Sequence, residues 1–392
     1  MPYLIFISSL IMPIYALGFA MVQCIKKRTT YLPIISISLA FATIGFALSP
    51  TEELDLYRHY ERIEAVGNLS FQNIIGDLSS GYFLFDIYAW VIKYLGLPKE
   101  FFTASVIFVS YFLVLNIFND LKKKYLSNSN SLTVAYSLII LLLSVNFIYL
   151  SSGLRNTFAN ITIFYACYYL VIYNKKALFF FCTIFAFLVH PASVIPAAIV
   201  LTASTSSWLS KFAKPMVILA LFLMLGNKAV DIIIGYIDSL ASSLPFYSST
   251  YLDPDSTWGG GFREDASLRG WIVAYIIDRL PTYISILYLI ILKPKQKNTL
   301  YLILCISLLL LSILFSYQTA FSRLNYFYIY IFSVFLILEY SKDKNSLNKC
   351  FIFLYFISLM VIMIVTSYSF NEYLSSAIEV FYKPLAFIVA DL

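Results

Sequence analysis

Two arginines and one histidine interrupt apolar sequence where a charge or an imidazole is expensive. Arg155 follows Ser151-Ser152-Gly153-Leu154 at the head of one apolar run, and Arg323 follows Phe321-Ser322 at the head of another. A guanidinium grips phosphate or carboxylate at two points and keeps its charge when partly buried. A charge about one turn inside an apolar helix is costly and marks a function. The small residues before Arg155 let a ligand approach the backbone, and a helix N-terminus there favours an anion. The plainer reading of both is an interfacial anchor, paired with a loop carboxylate in the case of Arg155. His190 is one of two histidines and precedes Pro191 in the middle of a long apolar run. Proline ends or starts a helix. An imidazole at such a break can accept a proton or hydrogen-bond an anionic leaving group; capping or packing is the alternative.

Two polar stretches add further candidates. The first reads Thr51-Glu52-Glu53-Leu54-Asp55-Leu56-Tyr57-Arg58-His59-Tyr60-Glu61-Arg62. Asp55, Arg58 and Arg62 recur at helical spacing, as do Tyr57, Tyr60 and Glu61. Carboxylates beside aromatic faces suit sugar hydroxyls and apolar sugar faces, whereas ion pairs along a solvated helix are the plainer reading for Glu61 and Arg62. The second stretch holds Asp253, Asp255, Trp258, Gly259-Gly260-Gly261, Arg263, Glu264, Asp265 and Arg269. Its glycines lack the Gly-Lys-Ser/Thr ending of a phosphate loop and read as a hinge or lid. Two carboxylates alone are weak evidence for a metal, so neither metal nor cofactor is expected.

The elements that must position these groups are membrane helices. Of 392 residues, 60% are hydrophobic, 18% aromatic and 12% charged, with a mean hydropathy of +0.82. Soluble domains carry about 25% charged residues, so soluble, disordered, collagen-like and nucleic-acid-binding classes are excluded. Five cysteines without paired spacing give neither a disulfide framework nor a zinc site. The apolar start lacks a basic leader and reads as a retained span.

Stretches near the ~20 residues that cross a bilayer fall at 2–25, 31–49, 100–119, 131–150, 153–173, 215–239, 271–292, 298–316, 324–340 and 349–369. The run 177–203 reads as two short helices meeting at His190-Pro191. The expected fold is all-α: one polytopic membrane domain over 1–392 with about twelve spans. Positive-inside bias puts six lysine-bearing loops in the cytoplasm if 81–97 lies at the interface or re-enters and the run 177–203 crosses twice, out at His190 and back by Ala203. Loops 50–99 and 240–270 then face outward. Fifteen of nineteen lysines fall in the inner loops, while seven of eight arginines (Arg58, Arg62, Arg155, Arg263, Arg269, Arg279, Arg323) fall at or near the outer face. That excess of outer arginine asks for an anionic ligand.

The chain resembles the EpsG-type branch of Wzy-like bacterial polysaccharide polymerases. The resemblance rests on Asp55-Leu56-Tyr57-Arg58-His59-Tyr60, Gly81-Tyr82-Phe83-Leu84-Phe85 leading to Leu95-Gly96-Leu97, Ser152-Gly153-Leu154-Arg155, His190-Pro191 and Arg323-Leu324-Asn325-Tyr326-Phe327. Asn156 stands where the family often has Gln, and Ala192 where it has a small hydroxyl residue. The resemblance implies an inner-membrane glycosyltransferase of O-antigen or other lipopolysaccharide-type synthesis, working at the periplasmic face. One glycan would pass from undecaprenyl diphosphate to the non-reducing end of another lipid-linked oligosaccharide. Membrane lipid and a chain-length regulator protein are the expected partners, with no nucleic acid. Under this reading Arg155, His190 and Asp55 are catalytic, with His190 the first choice of base and Asp55 the second. Arg323, Arg58, Tyr57, Tyr60, Arg279 and Arg269 bind substrate. A flippase or exporter of the same lipid-linked sugars, an O-antigen ligase and a membrane acyltransferase are the rivals. Absence of an internal repeat and one-sided polarity weigh against the exporter. A lack of inner-side histidine weighs against the acyltransferase.

Overall fold

Every regular element in the computed structural model is helical among the described residues. These are 2–26, 31–52, 54–67, 69–76, 83–225, 267–291, 299–343, 345–381 and 383–384. The chain divides into two units. One comprises Met1–Tyr165, Leu188–His190 and Met363–Leu392; the other comprises Ala166–Phe187 and Pro191–Ile362.

In the first unit the run 2–25 is split into α1 (Pro2–Ile11) and α2 (Pro13–Ile25), because Pro13 has no N–H to continue the ladder. There follow α3 (Tyr31–Phe46), α4 (Asp55–Val66), α5 (Phe71–Gly76) and α6 (Phe83–Tyr94). Beyond them come α7 (Glu100–Lys124), α8 (Ser131–Ser144), α9 (Phe147–Ser152) and α10 (Leu154–Tyr173), the last counted in this unit as far as Tyr165. The helices α3 and α7 pack closely because residue 45 is glycine. A Cβ there would lie 2.3 Å from Ile107 Cδ1, the close approach that small residues permit between membrane helices. Phe41 stacks on Tyr111 across the same seam, with centroids 4.0 Å apart. α6 closes with Gly96 at a φ of 67°. Leu97 N–H donates to the Ile92 carbonyl and Gly96 N–H to that of Lys93, each at 3.0 Å, which is the glycine-terminated helix end.

In the second unit, α11 (Lys176–Val189) stops at His190-Pro191, and the chain resumes through a tight turn at Pro191–Ser193 into α12 (Val194–Thr205). Next come α13 (Ala213–Leu225), α14 (Leu268–Ile272), a widened helical turn over Val273–Ile277, and α15 (Leu280–Ile291). The remaining helices are α16 (Thr299–Ile313), α17 (Gln318–Lys342) and α18 (Ser346–Ser369), followed in the first unit by the short α19 (Asn371–Ser375). α16 packs on α12, α13 and α17. α17 is the most enclosed of the helices long enough to cross a bilayer among the described residues, and its Ser333 hydroxyl lies 3.0 Å from that of Tyr355 on α18.

The protein is an all-helical, multi-pass membrane protein. Among the described residues five helices are long and apolar enough to cross a bilayer: Glu100–Lys124, Ser131–Ser152, Leu268–Ile291, Gln318–Lys342 and Ser346–Ser369. A sixth arises if Pro191–Thr205 and Trp208–Met224, bent by 100°, count as one span. The expected count of twelve is therefore not confirmed among the described residues, and most of the expected span 215–239 lies outside them. Several expected spans are apolar helices of only 10–17 residues, including α1, α2, α3, α11 and α16. At about 1.5 Å per residue such helices fall short of a ~30 Å hydrocarbon core. α6, within the segment expected not to cross, has 12 residues. Most of the loop 240–270, with Asp253, Asp255 and Arg263, and the Gly81-Tyr82 pair lie outside the described residues.

Candidate functional site

The polar first stretch folds as α4, as its spacing predicts, with Leu56, His59, Tyr60, Ile63 and Val66 buried along one face. Arg58 and Asp55 form an ion pair one turn apart, both about half exposed. Arg62 reaches across to α6. Its Nε and Nη2 each donate to Asp86, at 2.6 Å to Oδ1 and 2.6 Å to Oδ2. Lys93 and Glu64 form a second ion pair between α4 and α6. Asp86, which lies within the segment 81–97 and was not among the candidate residues, is the buried carboxylate that ties α4 to α6.

Arg155 is the second residue of α10, and two helix breaks lead to it. Asn146 ends α8 and caps α9: its Oδ1 accepts from the Ile148 and Tyr149 N–H groups at 3.0 and 3.3 Å. Its Nδ2 donates to Thr366 Oγ1 at 3.2 Å. α9 ends one residue before Gly153, whose N–H donates to the Tyr149 carbonyl at 3.0 Å. Thr157 Oγ1 donates to the same carbonyl at 3.2 Å. The short break is thereby pinned from both sides, and Arg155 leaves it half-buried, with its Nε inside.

His59, which sequence spacing left as one letter of a motif, lies in the field of Arg155. It is 8% exposed, with its ring edge-on to Phe85 at 5.4 Å. Burial, then the Arg155 guanidinium, lowers its pKa to about 4; Asp55 opposes, while Arg58 and Arg62 add to the lowering. The imidazole is neutral at pH 7, so three arginines and one carboxylate surround an uncharged ring able both to donate and to accept. The first unit thus brings Asp55, Arg58, Arg62 and Arg155 each within electrostatic reach of His59. Tyr57 is half-buried on α4. Tyr60 points inward, 4% exposed, with its hydroxyl 3.0 Å from Thr103 Oγ1 on α7. His190 stands in the break after α11, as its proline predicts, with both ring nitrogens buried.

In the second unit Arg269 is exposed on α14, whose N-terminus Ser267 caps through the Gly270 N–H at 3.2 Å. Arg323 is half-buried near the start of α17, within electrostatic reach of Tyr326, a side chain that also lies within reach of Asp278. Arg279 has no exposed surface. Its Nη1 donates to the Phe315 carbonyl at 2.7 Å and its Nη2 to Gln318 Oε1 at 2.6 Å. Tyr275, Phe315 and Phe321 enclose its guanidinium, at 4.1, 4.2 and 4.1 Å from their ring centroids. That environment is protein on every side, unlike the surface expected of a substrate contact.

No curated protein and no solved structure matches the chain. A family model described as EpsG family matches residues 30–376, a range that takes in α3 to α19 and every candidate residue named above. The chain belongs to the EpsG family, which is linked to exopolysaccharide biosynthesis.

Proposed function

We propose that this protein is a polysaccharide polymerase of the bacterial cytoplasmic membrane. It transfers a growing glycan from undecaprenyl diphosphate to a hydroxyl at the non-reducing end of another lipid-linked repeat unit, on the periplasmic side. The acceptor oxygen bonds to the anomeric carbon as the anomeric carbon–diphosphate oxygen bond breaks. The electron pair leaves with undecaprenyl diphosphate, and the acceptor's proton passes to a base.

The observation that carries this reading is Arg155, set at the head of α10 by a pinned break, beside a histidine kept neutral. A diphosphate leaving group gains negative charge as the bond breaks, and a preorganised guanidinium tightens on it in that step. His190 is the first candidate base. Asp55 is the second, weakened by its pairing with Arg58. Arg323 is a further substrate-binding arginine, and Arg58, Tyr57 and Arg269 are the candidates for contacts to sugar. A chain-length regulator is the proposed protein partner.

The test is a purified-protein assay with lipid-diphosphate repeat units, read as a ladder of products. Arg155→Ala and Arg323→Ala are expected to abolish the ladder while the protein remains inserted. Removing one donor of this kind costs on the order of 10²–10³ in rate. Long chains made by Arg155→Ala at the wild-type rate would sink the mechanism. A wild-type protein that makes no ladder but moves substrate across vesicles is an exporter.

A further inference from the structure

The polar contacts of Arg279 continue down a seam between α15 and α17. Gln318, the first residue of α17, accepts from Arg279 and donates to Ser322 Oγ at 3.2 Å. Thr282 Oγ1 donates to Asn325 Oδ1 at 2.6 Å, and Asn325 Nδ2 donates to the Asp278 carbonyl at 3.5 Å. The hydroxyls of Ser285 and Tyr328 lie 2.5 Å apart. Tyr275 adds a bond from its hydroxyl to the Ser316 carbonyl at 3.3 Å. On α17 the partners 318, 322, 325 and 328 follow steps of four, three and three, so they share one face. Arg323, Tyr326 and Tyr330 form another stripe, roughly a third of a turn away. Tyr317, at the N-terminus of α17, supplies no side-chain cap. The polar contacts that hold the start and the rotation of the helix therefore lie in this seam, beside its packing on α16, and Arg279 is the charged end of the seam.

We propose that Arg279 is a positioning residue: it fixes where α17 begins and how it is turned, and so where Arg323 presents its guanidinium. It does so without touching substrate. The proposal rests on the substrate-binding role given to Arg323 above. The requirement is for arginine specifically. A planar guanidinium can lie among three rings and still donate in two directions within its plane, whereas a lysine ammonium offers one point charge.

The test separates position from activity. In detergent-purified protein carrying Cys350→Ser, which removes the exposed thiol, Arg323→Cys introduces a thiol whose rate of reaction with a maleimide reports its surroundings. Adding Arg279→Lys is expected to change that rate at least threefold. In otherwise native protein, Arg279→Lys is expected to lower kcat for chain growth more than tenfold with KM within about twofold. An unchanged maleimide rate, or a loss that appears in KM with kcat unchanged, overturns the proposal. If Arg279→Lys yields no folded protein, Gln318→Leu removes the Nη2 acceptor and is held to the same two readouts. Should Arg323→Ala alone leave chain growth intact, the role of Arg323 fails, and the maleimide rate still decides whether Arg279 sets the helix.

Discussion

Arg62 on α4 holds Asp86 on α6 through two parallel hydrogen bonds of 2.6 Å, Nε to Oδ1 and Nη2 to Oδ2. The pair is asymmetric in burial: the Arg62 side chain is 35% exposed, the Asp86 side chain 10%. Removing one partner is costly in proportion to how dry the other remains. Arg62→Ala strands a carboxylate in the interior. Asp86→Ala leaves a long arginine free to turn toward water. Charged hydrogen bonds are worth about 1.5–3 kcal/mol each, so Arg62→Ala is expected to destabilise the protein by at least ~1 kcal/mol more than Asp86→Ala. Thermal unfolding in detergent measures the difference, and the reverse order would show that α4 is held by its apolar face alone.

His59 gives the same region a pH signature. Its pKa lies at about 4 in the folded protein against an ordinary 6.5. The unfolded chain therefore binds more protons between those values, and stability falls as pH drops through that window. Above about pH 6.5 the full contribution is present. The slope attributable to one such group approaches 1.4 kcal/mol per pH unit. His59→Gln keeps a neutral polar side chain and removes the titration. It is expected to flatten the acid limb of a stability–pH curve relative to wild type. Superimposable acid limbs for the two proteins would mean that His59 is not held neutral.

What was legible in the sequence, and what was not, follows from the range of sequence periodicity. Spacing of three and four reveals neighbours on one helix, so α4 and the alignment of Asp55 with Arg58 could be read directly. Proline revealed the stop after α11, whereas the cut that Pro13 makes between α1 and α2 was missed, because hydropathy reads 2–25 as one span. Contacts between helices carry no local signal. Arg62 pairs with a residue 24 positions away and Arg279 with one 39 away, and nothing in the intervening residues foretells either. The charge tally placed Arg279 with the outer arginines, whereas its aromatic enclosure is a property of three separate segments meeting. His59 escaped for a related reason, since its importance comes from Arg155 beside it.

Gly153 tests the approach to Arg155. A Cβ at this position would sit 3.2 Å from the Tyr149 carbonyl oxygen, the acceptor shared by the Gly153 N–H and the Thr157 hydroxyl. Gly153→Ala must push that carbonyl aside or stretch both bonds. Losing one neutral hydrogen bond costs about 1 kcal/mol, a tolerable loss of stability. The start of α10 moves with it, and catalytic geometry tolerates displacement poorly. The expected result is a fall in chain growth of tenfold or more with a stability loss near ~1 kcal/mol. A ladder equal to wild type would show that Arg155 does not depend on the break.

Lys122 separates a topological charge from a structural one. It is 4% exposed, and its ammonium donates to the carbonyls of Cys24 and Lys26 at 2.7 Å each, at the C-terminal end of α2. A cation there answers both the unsatisfied carbonyls and the helix dipole. Lys123, the next residue, is exposed and carries the same charge in the same last turn of α7. If basic residues at this helix end served orientation alone, Lys122→Met and Lys123→Met would be equivalent. Lys122→Met instead leaves two carbonyls without their donor, at a cost of about 1.5–3 kcal/mol for the lost charged hydrogen bonds. Lys123→Met is expected to change stability by less than ~0.5 kcal/mol. Unfolding midpoints of the two variants in one detergent decide the matter, and equal midpoints would remove Lys122 from the packing of α2 on α7.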